Sequence, residues 1–320
     1  MGKKGQVLKS NIATINTPKT FWQKLWGQKQ LFFMSVPLVL YIVLFRYIPL
    51  WGWTMAFQNY KPARHFTQQE LDHLKWFIYL FKDKEFLLAL RNTVGMSLIT
   101  TALGYITAII LALLLNEVKH TGLKRIVQTI SYLPHFLSWI IVTSLVSTML
   151  SVEDGAINNV LIFLGVIKQP ILWLSVPKYF WSINGWTYVW KEVGWNTIVY
   201  LGAITAIDPS LYEAASIDGC GRFQKMWHVT LPGIRATIII MMIMSAGHIL
   251  DANFEMPFLL GNGMIQDVSQ TIDIYVLRYG FTNFNFSLAT AAGIFKNVVN
   301  ILLLLIANEI AKYSGEERLI

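Results

Sequence analysis

Sulfur chemistry is nearly missing from this chain. Cys220 is its one cysteine among 320 residues, so no internal disulfide can form. No His/Cys cluster has metal-ligand spacing, and no G-x-x-x-x-G-K-[ST] loop is present to cradle a nucleotide phosphate. No nucleophile with an adjacent base stands out, which disfavours an integral membrane enzyme. Charge is scarce as well: Asp, Glu, Lys and Arg make up 14% of the residues, against about 25% in soluble domains. The opening 30 residues lack an acidic side chain, and they also lack a short apolar core with a small-residue cleavage site. A removable signal peptide is therefore not expected, and the first apolar segment is expected to stay as an anchor.

What is abundant is apolar. Hydrophobic residues make up 54% and mean hydropathy is +0.48. Several uncharged runs reach the ~18 residues that mark a membrane-spanning helix. The chain reads as a polytopic, all-α membrane protein. Its net charge of +8 fits basic residues gathered at cytoplasmic helix ends, so nucleic acid is not expected as a partner and membrane lipid is.

Residues 1–30 carry Lys3, Lys4, Lys9, Lys19, Lys24 and Lys29 and are expected to form a cytoplasmic segment. Phe21, Trp22, Leu25 and Trp26 there suit an interfacial aromatic anchor or a short surface helix. A transmembrane domain is expected over 31–312, with spans at about 31–57, 93–115, 126–150, 189–207, 234–255 and 287–311. A tail over 313–320 follows. Both termini then lie in the cytoplasm, and 58–90, 151–180 and 257–285 become outer connections. Trp76, Phe77, Leu80 and Phe81 give the first of these a helical apolar face. Thr93, Ser97, Thr100, Gly104 and Ala108 form a small-residue stripe suited to close helix packing. Pro134 and His135 fall inside the third span, where His135 reads as a hydrogen-bonded packing residue.

Between spans four and five lies a charged stretch, DPSLYEAASIDGCGRFQKMWHVTLP, residues 208–232. Asp208 suits a helix N-cap and Pro209 the first helical position; Gly219 can take the positive φ that ends a helix. Two short helices with a break are expected, and Ala214 and Ala215 offer a low-relief face for another protein. In sequence this stretch, E-A-A-x-x-D-G followed by L-P, resembles the signature loop of binding-protein-dependent ABC import permeases. F-x-x-x-L-R-N-T at 86–93, Y-L-P-H-F at 132–136, W-K-E-V-G-W-N at 190–196, I-D-x-Y-V-x-R at 272–278 and A-N-x-I-A-K at 307–312 resemble the polysaccharide and complex-oligosaccharide branch of that family. Ala236 and Cys220 depart from its commoner residues.

The resemblance implies a type I importer permease fold with six transmembrane helices in a bacterial cell membrane. It implies that Glu213, Ala214, Ala215, Asp218, Gly219, Leu231 and Pro232 form a coupling helix docked into a separate ATPase. This chain would then need no cofactor itself, with ATP and magnesium on two cytoplasmic ABC ATPase subunits. It would work with an extracellular solute-binding protein and a second permease chain, expected to be a different one, with a homodimer as the alternative. An ABC permease for another small solute, or a stand-alone secondary transporter, is the competing class.

A path for saccharides would need amides, hydroxyls, charges and aromatic rings at membrane depth. Trp195, Asn196 and Tyr200 on span four supply some. Asp251 and Glu255 are expected ~22–28 Å along a continuous fifth span from Arg235 at ~1.5 Å per residue. Lys296, Asn297 and Asn300 share one face of span six with Gly293. Lys296 is expected either to contact substrate or to neutralise Glu255 or Asp251, and the asparagines to contact substrate or to bond between helices.

Overall fold

The computed structural model describes residues 26–251 and 253–313. The chain divides into two units, residues 1–53 and 54–320. Helix α1 (Lys29–Ile42) and a π-helical turn at Val43–Tyr47 lie in the first unit, and a 3-10 stretch, Ile48–Phe57, spans the division at residue 53. The apolar side chains of α1, among them Phe33, Met34 and Leu38, are exposed, as hydrocarbon-facing residues are. The interfacial anchor expected around Phe21, Trp22 and Leu25 lies outside the described residues, as does the tail beyond Tyr313.

The second unit opens with a two-stranded antiparallel ribbon, β1 (Gln58–Asn59) against β2 (Glu70–Leu71), and helix α2 (Lys75–Leu80). Arg64 and Glu70 pair at 2.7 Å there, and that hydrogen-bonded guanidinium holds the Glu70 carboxyl below its usual range. Trp76, Phe77 and Leu80 pack inward as expected, while Phe81 remains exposed. Helix α3 (Lys84–Glu117) starts earlier than the hydropathy of its apolar part suggests. Asp83 caps it, accepting the Glu85 N–H at 3.0 Å. Its 34 residues reach ~51 Å at ~1.5 Å each, well beyond ~30 Å of hydrocarbon.

The small stripe of α3 packs against helix α7 (Pro177–Thr205), which likewise starts before the expected residue 189. A Cβ on Gly104 would lie 3.1 Å from the Tyr188 ring, and one on Gly185 2.9 Å from Ile99 and Leu103. Thr93, Thr100 and Thr107 return their hydroxyls to carbonyls four residues back, so the stripe is polar in composition but satisfied.

Two expected spans are broken. The third, at 126–150, is α4 (Thr121–Tyr132), a 3-10 turn at Leu133–Phe136 and α5 (Trp139–Met149), with 103° between its halves. Pro134 sits at the start of the 3-10 turn and lacks the N–H that would continue a helix; Ser138 then caps α5 by accepting from the Ile141 N–H. Eleven residues in α5 cover only ~16 Å, about half the hydrocarbon thickness.

The short helix α6 (Ala156–Phe163) follows in the connection at 151–180. Beyond α7 come α8 (Pro209–Ile217) and α9 (Arg222–Gly233). The fifth span bends by 57° between α9 and α10 (Arg235–Ala246), and α10 stops at Ala246 rather than reaching Glu255. The described residues that follow, 247–251 and 253–254, run without regular helix until α11 (Glu255–Leu260). The stop has a tertiary cause: the buried Asn300 accepts the Leu250 N–H at 3.1 Å and gives the released backbone a partner.

The expected outer connection at 257–285 is a packed helical insert. α11, α12 (Gln266–Ser269) and α13 (Ile272–Leu277) bury Met256, Leu260, Ile265, Ile272 and Tyr275. A π-helical turn at Arg278–Thr282 leads into α14 (Phe286–Tyr313), close to the sixth expected span. Among the described residues, three helical runs are long and apolar enough to cross a membrane, and up to five if each bent pair counts as one. α7 has 29 residues, long enough to cross, but it carries the buried Lys191 beside Glu192.

Candidate functional sites

The segment joining α7 to α10 is built by local chemistry. The Asp208 Oδ1 accepts the Ser210 N–H at 2.9 Å, Pro209 occupies the first helical position, and Gly219 adopts φ +78°. That N–H bond holds the Asp208 carboxyl below its ordinary range. Two helices with a break are present, as expected. The Tyr212 hydroxyl meets the Thr230 Oγ1 at 3.0 Å, and the Lys225 Nζ donates to the Ser216 Oγ at 2.6 Å, tying α8 to α9. Glu213, Ala214, Asp218 and Gly219 are exposed, while Ala215 turns inward, so one alanine and not two forms the open face. Leu231 is half-buried and Pro232 exposed at the end of α9.

Around this face stand large apolar side chains: Leu211 is 53% exposed, Ile217 87%, Phe223 84% and Trp227 69%. Hydrocarbon facing explains exposed apolar residues in the spans but not in this charged connector. The two ends of the segment meet, since a Cβ on Gly233 would lie 2.6 Å from Ile207.

The polar residues expected to line one path fall in three places. At the break between α4 and α5, the His135 ring stacks on Trp195 with centroids 4.3 Å apart. His135 Nδ1 lies 2.6 Å from Glu192 Oε2. Lys191 donates to the His135 carbonyl at 2.7 Å, pairs with Glu192 at 3.1 Å and lies over the Trp139 ring. His135 is thus hydrogen-bonded, as expected. Here α7 and the last turn of α4 almost touch: a Cβ on Gly194 would lie 2.1 Å from the Ser131 carbonyl oxygen.

Asn196 and Tyr200 face elsewhere, into a small cavity of about 110 Å³ shared with Tyr105, Tyr188 and Ser245. The Tyr105 hydroxyl bonds Ser245 and the Met241 carbonyl, whereas the buried Tyr200 hydroxyl has no protein partner among the described residues. The third place is the end of α10. Lys296 pairs with Asp251 at 2.7 Å and Asp273 at 2.6 Å, and Asp251 also meets His248 at 2.9 Å.

Lys296 is therefore neutralised by Asp251 and by Asp273, which the sequence reading did not single out. Glu255 is exposed at the start of α11. Asn297 is exposed and Asn300 buried, so the shared face expected of span six divides between two surroundings. Lys191 and Glu192 were also missed, although adjacent charges inside an apolar stretch are a signal in themselves.

A polytopic α-helical membrane protein with a docking connector is the class these elements define: a charged, apolar-tipped connector before the penultimate long segment, and polar groups buried among long apolar helices. Residues 101–312 match the family described as binding-protein-dependent transport system inner membrane component, and the chain belongs to it. It is 43% identical over 294 residues to the polygalacturonan/rhamnogalacturonan transport system permease protein YteP of Bacillus subtilis (strain 168), covering 92% of this chain and 91% of that one. The lactose transport system permease protein LacF of Rhizobium radiobacter is 31% identical, over 75% of this chain and 80% of its own. Among solved structures, a bacterial alginate ABC transporter in complex with an alginate pentasaccharide-bound periplasmic protein matches with TM-score 0.85 and 35% identity. That match covers 94% of this chain and all of its counterpart.

Proposed function

We propose that this chain is the permease subunit of an ATP-driven importer that moves an oligosaccharide or polysaccharide delivered by an extracellular solute-binding protein. The observation that carries the reading is the connector at 208–232. It is a self-capped helix pair whose exposed Glu213 and Ala214 stand beside Leu211, Ile217, Phe223 and Trp227, a surface shaped for a soluble partner. In this reading the partner is a cytoplasmic ABC ATPase carrying ATP and magnesium, two copies serve the complex, and both ends of the chain lie on that side. A second permease chain completes the enclosure.

Substrate contact is assigned to Trp195 with its His135–Glu192–Lys191 cluster and to the cavity lined by Asn196 and Tyr200. Lys296, Asp251 and Asn300 are assigned to holding the break after α10. A solved relative, 36% identical, is described as a bacterial ABC transporter involved in the import of the acidic polysaccharide alginate, which favours an acidic saccharide here. The test is Glu213→Lys in the full complex, measuring retention of the ATPase subunits and uptake driven by ATP. Dissociation, or ATP hydrolysis without uptake, is expected; normal ATP-driven uptake would remove the connector from the coupling role.

A further inference from the structure

A cavity of about 580 Å³ lies between α5, α6 and α7, within the ~300–1,000 Å³ of small-molecule sites. Leu145 and Met149 of α5 and Ile157 of α6 form one wall; Ile183, Trp186 and Trp190 of α7 form the other. From Tyr179 to Trp190 the α7 wall extends eleven residues, ~16 Å at ~1.5 Å each. That is about half of the ~30 Å hydrocarbon thickness, the depth of one leaflet.

One end of the cavity has the composition of a membrane interface. Trp173 and Tyr179 meet there with ring centroids 5.1 Å apart. The Trp173 indole N–H donates to the buried Asn158 Oδ1 at 2.9 Å, and Asn158 also donates to the Ser151 and Ile171 carbonyls and accepts the Ile171 N–H. These bonds fix the end wall before anything enters. Lys178, exposed beside Tyr179, holds its Nζ 6.0 Å from that ring and has no carboxylate partner among the described residues. Aromatic rings with a free cation at one level suit the headgroup boundary.

The rest of the lining decides the class of ligand. It carries the hydroxyls of Tyr179, Ser182 and Thr187, but no carboxylate, side-chain amide or cation. A saccharide filling this volume would set most of its hydroxyls against apolar wall, where they go unmatched; a hydrocarbon chain meets no such penalty. Trp186 is 59% exposed and Trp190 43%, and the neighbouring Ile140 and Ile141 of α5 are exposed as hydrocarbon-facing residues are. We infer that this cavity holds one acyl chain of a membrane phospholipid, with Lys178 at the phosphate of its headgroup. The chain would lie along α7 from Tyr179 to Trp190 and brace α5, the short half of the broken span, against it. The inference needs the membrane setting of α5 and α7 and is independent of the cargo.

The experiment uses the complete transporter in phosphatidylcholine nanodiscs holding a low fraction of phosphatidylglycerol with a diazirine in one acyl chain. After irradiation, labelled peptides are mapped and quantified. Wild-type label is expected to concentrate on 145–150 and 182–190. Ser182→Trp fills the cavity from an exposed position and should lower that label about tenfold, the worth of two buried methylenes. Lys178→Gln leaves the cavity intact and should lower it about fivefold, the worth of one basic side chain at an anionic surface. Both residues are exposed, and assembly of the complex should be unchanged.

Equal label on the cavity peptides in wild type and Ser182→Trp would overturn the assignment. So would wild-type label no denser there than around the exposed Ile301, Leu302 and Leu305 of α14, which marks annular lipid only. An unlabelled cavity in the wild type, with a second permease chain released by Ser182→Trp, would give the space to that chain and overturn it too. Label lost in Ser182→Trp but kept in Lys178→Gln would retain the acyl chain and overturn the headgroup contact.

Discussion

The imidazole of His135 stacks on the indole of Trp195, 4.3 Å apart between centroids with ring planes within 2° of parallel, and Glu192 holds the imidazole from its Nδ1 side. This pair joins the broken third span to α7 at one level, and Trp195 keeps 45% of its surface exposed. Stacked pairs contribute about 0.5–1.5 kcal/mol beyond their burial. Trp195→Ala should therefore lower saccharide uptake by about tenfold at most, while Trp195→Phe retains most of it. Vesicle uptake measured beside the yield of assembled complex checks this; equal uptake in the alanine variant would exclude the ring from the path.

Lys296 sits between two carboxylates, with 14% of its side chain exposed. Lys296→Met leaves Asp251 and Asp273 facing each other uncompensated. The loss of stability should stay below the ~3–5 kcal/mol of a fully buried pair, since both aspartates keep some contact with solvent. Adding Asp273→Asn should recover part of it. Thermal unfolding of the purified chain, followed for both variants, is the measurement; a double variant no more stable than the single one would refute the pairing.

Asp208→Ala removes the acceptor for the Ser210 N–H and should loosen α8, whereas Asp208→Asn preserves a good cap. Because the folded carboxyl titrates below its ordinary range, its contribution is complete above that range and is lost as pH falls through the depressed value. Binding of the proposed ATPase partner to Asp208→Ala should be weaker at neutral pH than to Asp208→Asn. A pull-down of both variants at pH 7 separates the two outcomes.

Gly194→Ala places a methyl 2.1 Å from the Ser131 carbonyl oxygen, where only backbone movement can make room. A destabilisation of about 1–3 kcal/mol is expected from overpacking of this kind. Gly202→Ala, on the same helix with nothing within 4 Å of the added carbon, is the matched control and should be neutral. Unfolding temperatures of the two variants give the comparison.

The connector was legible because its geometry is set by neighbours in sequence: an Asp-Pro start and a glycine with φ +78° need no tertiary help. The long apolar helices were legible from hydropathy, apart from their ends, which caps such as Asp83 decide. The breaks were harder. Pro134 is visible in the sequence, yet the apolar run continues through it, and only the cap at Ser138 and the 103° turn reveal two helices. The end of α10 depends on Asn300, 50 residues from Leu250. The choice of Asp273 over Glu255 as a partner for Lys296 likewise arises from packing between distant segments, which a linear reading cannot rank.

The meeting of Gly233 with Ile207 has a mechanical consequence. With both ends of the connector meeting at one point, it would act, in the proposed coupling role, as a yoke and not as a hinge on one arm. A displacement applied at Glu213 would then be delivered to α7 and α10 together, so that one stroke would drive the helix bearing Trp195 and the helix ending at the Lys296 cluster.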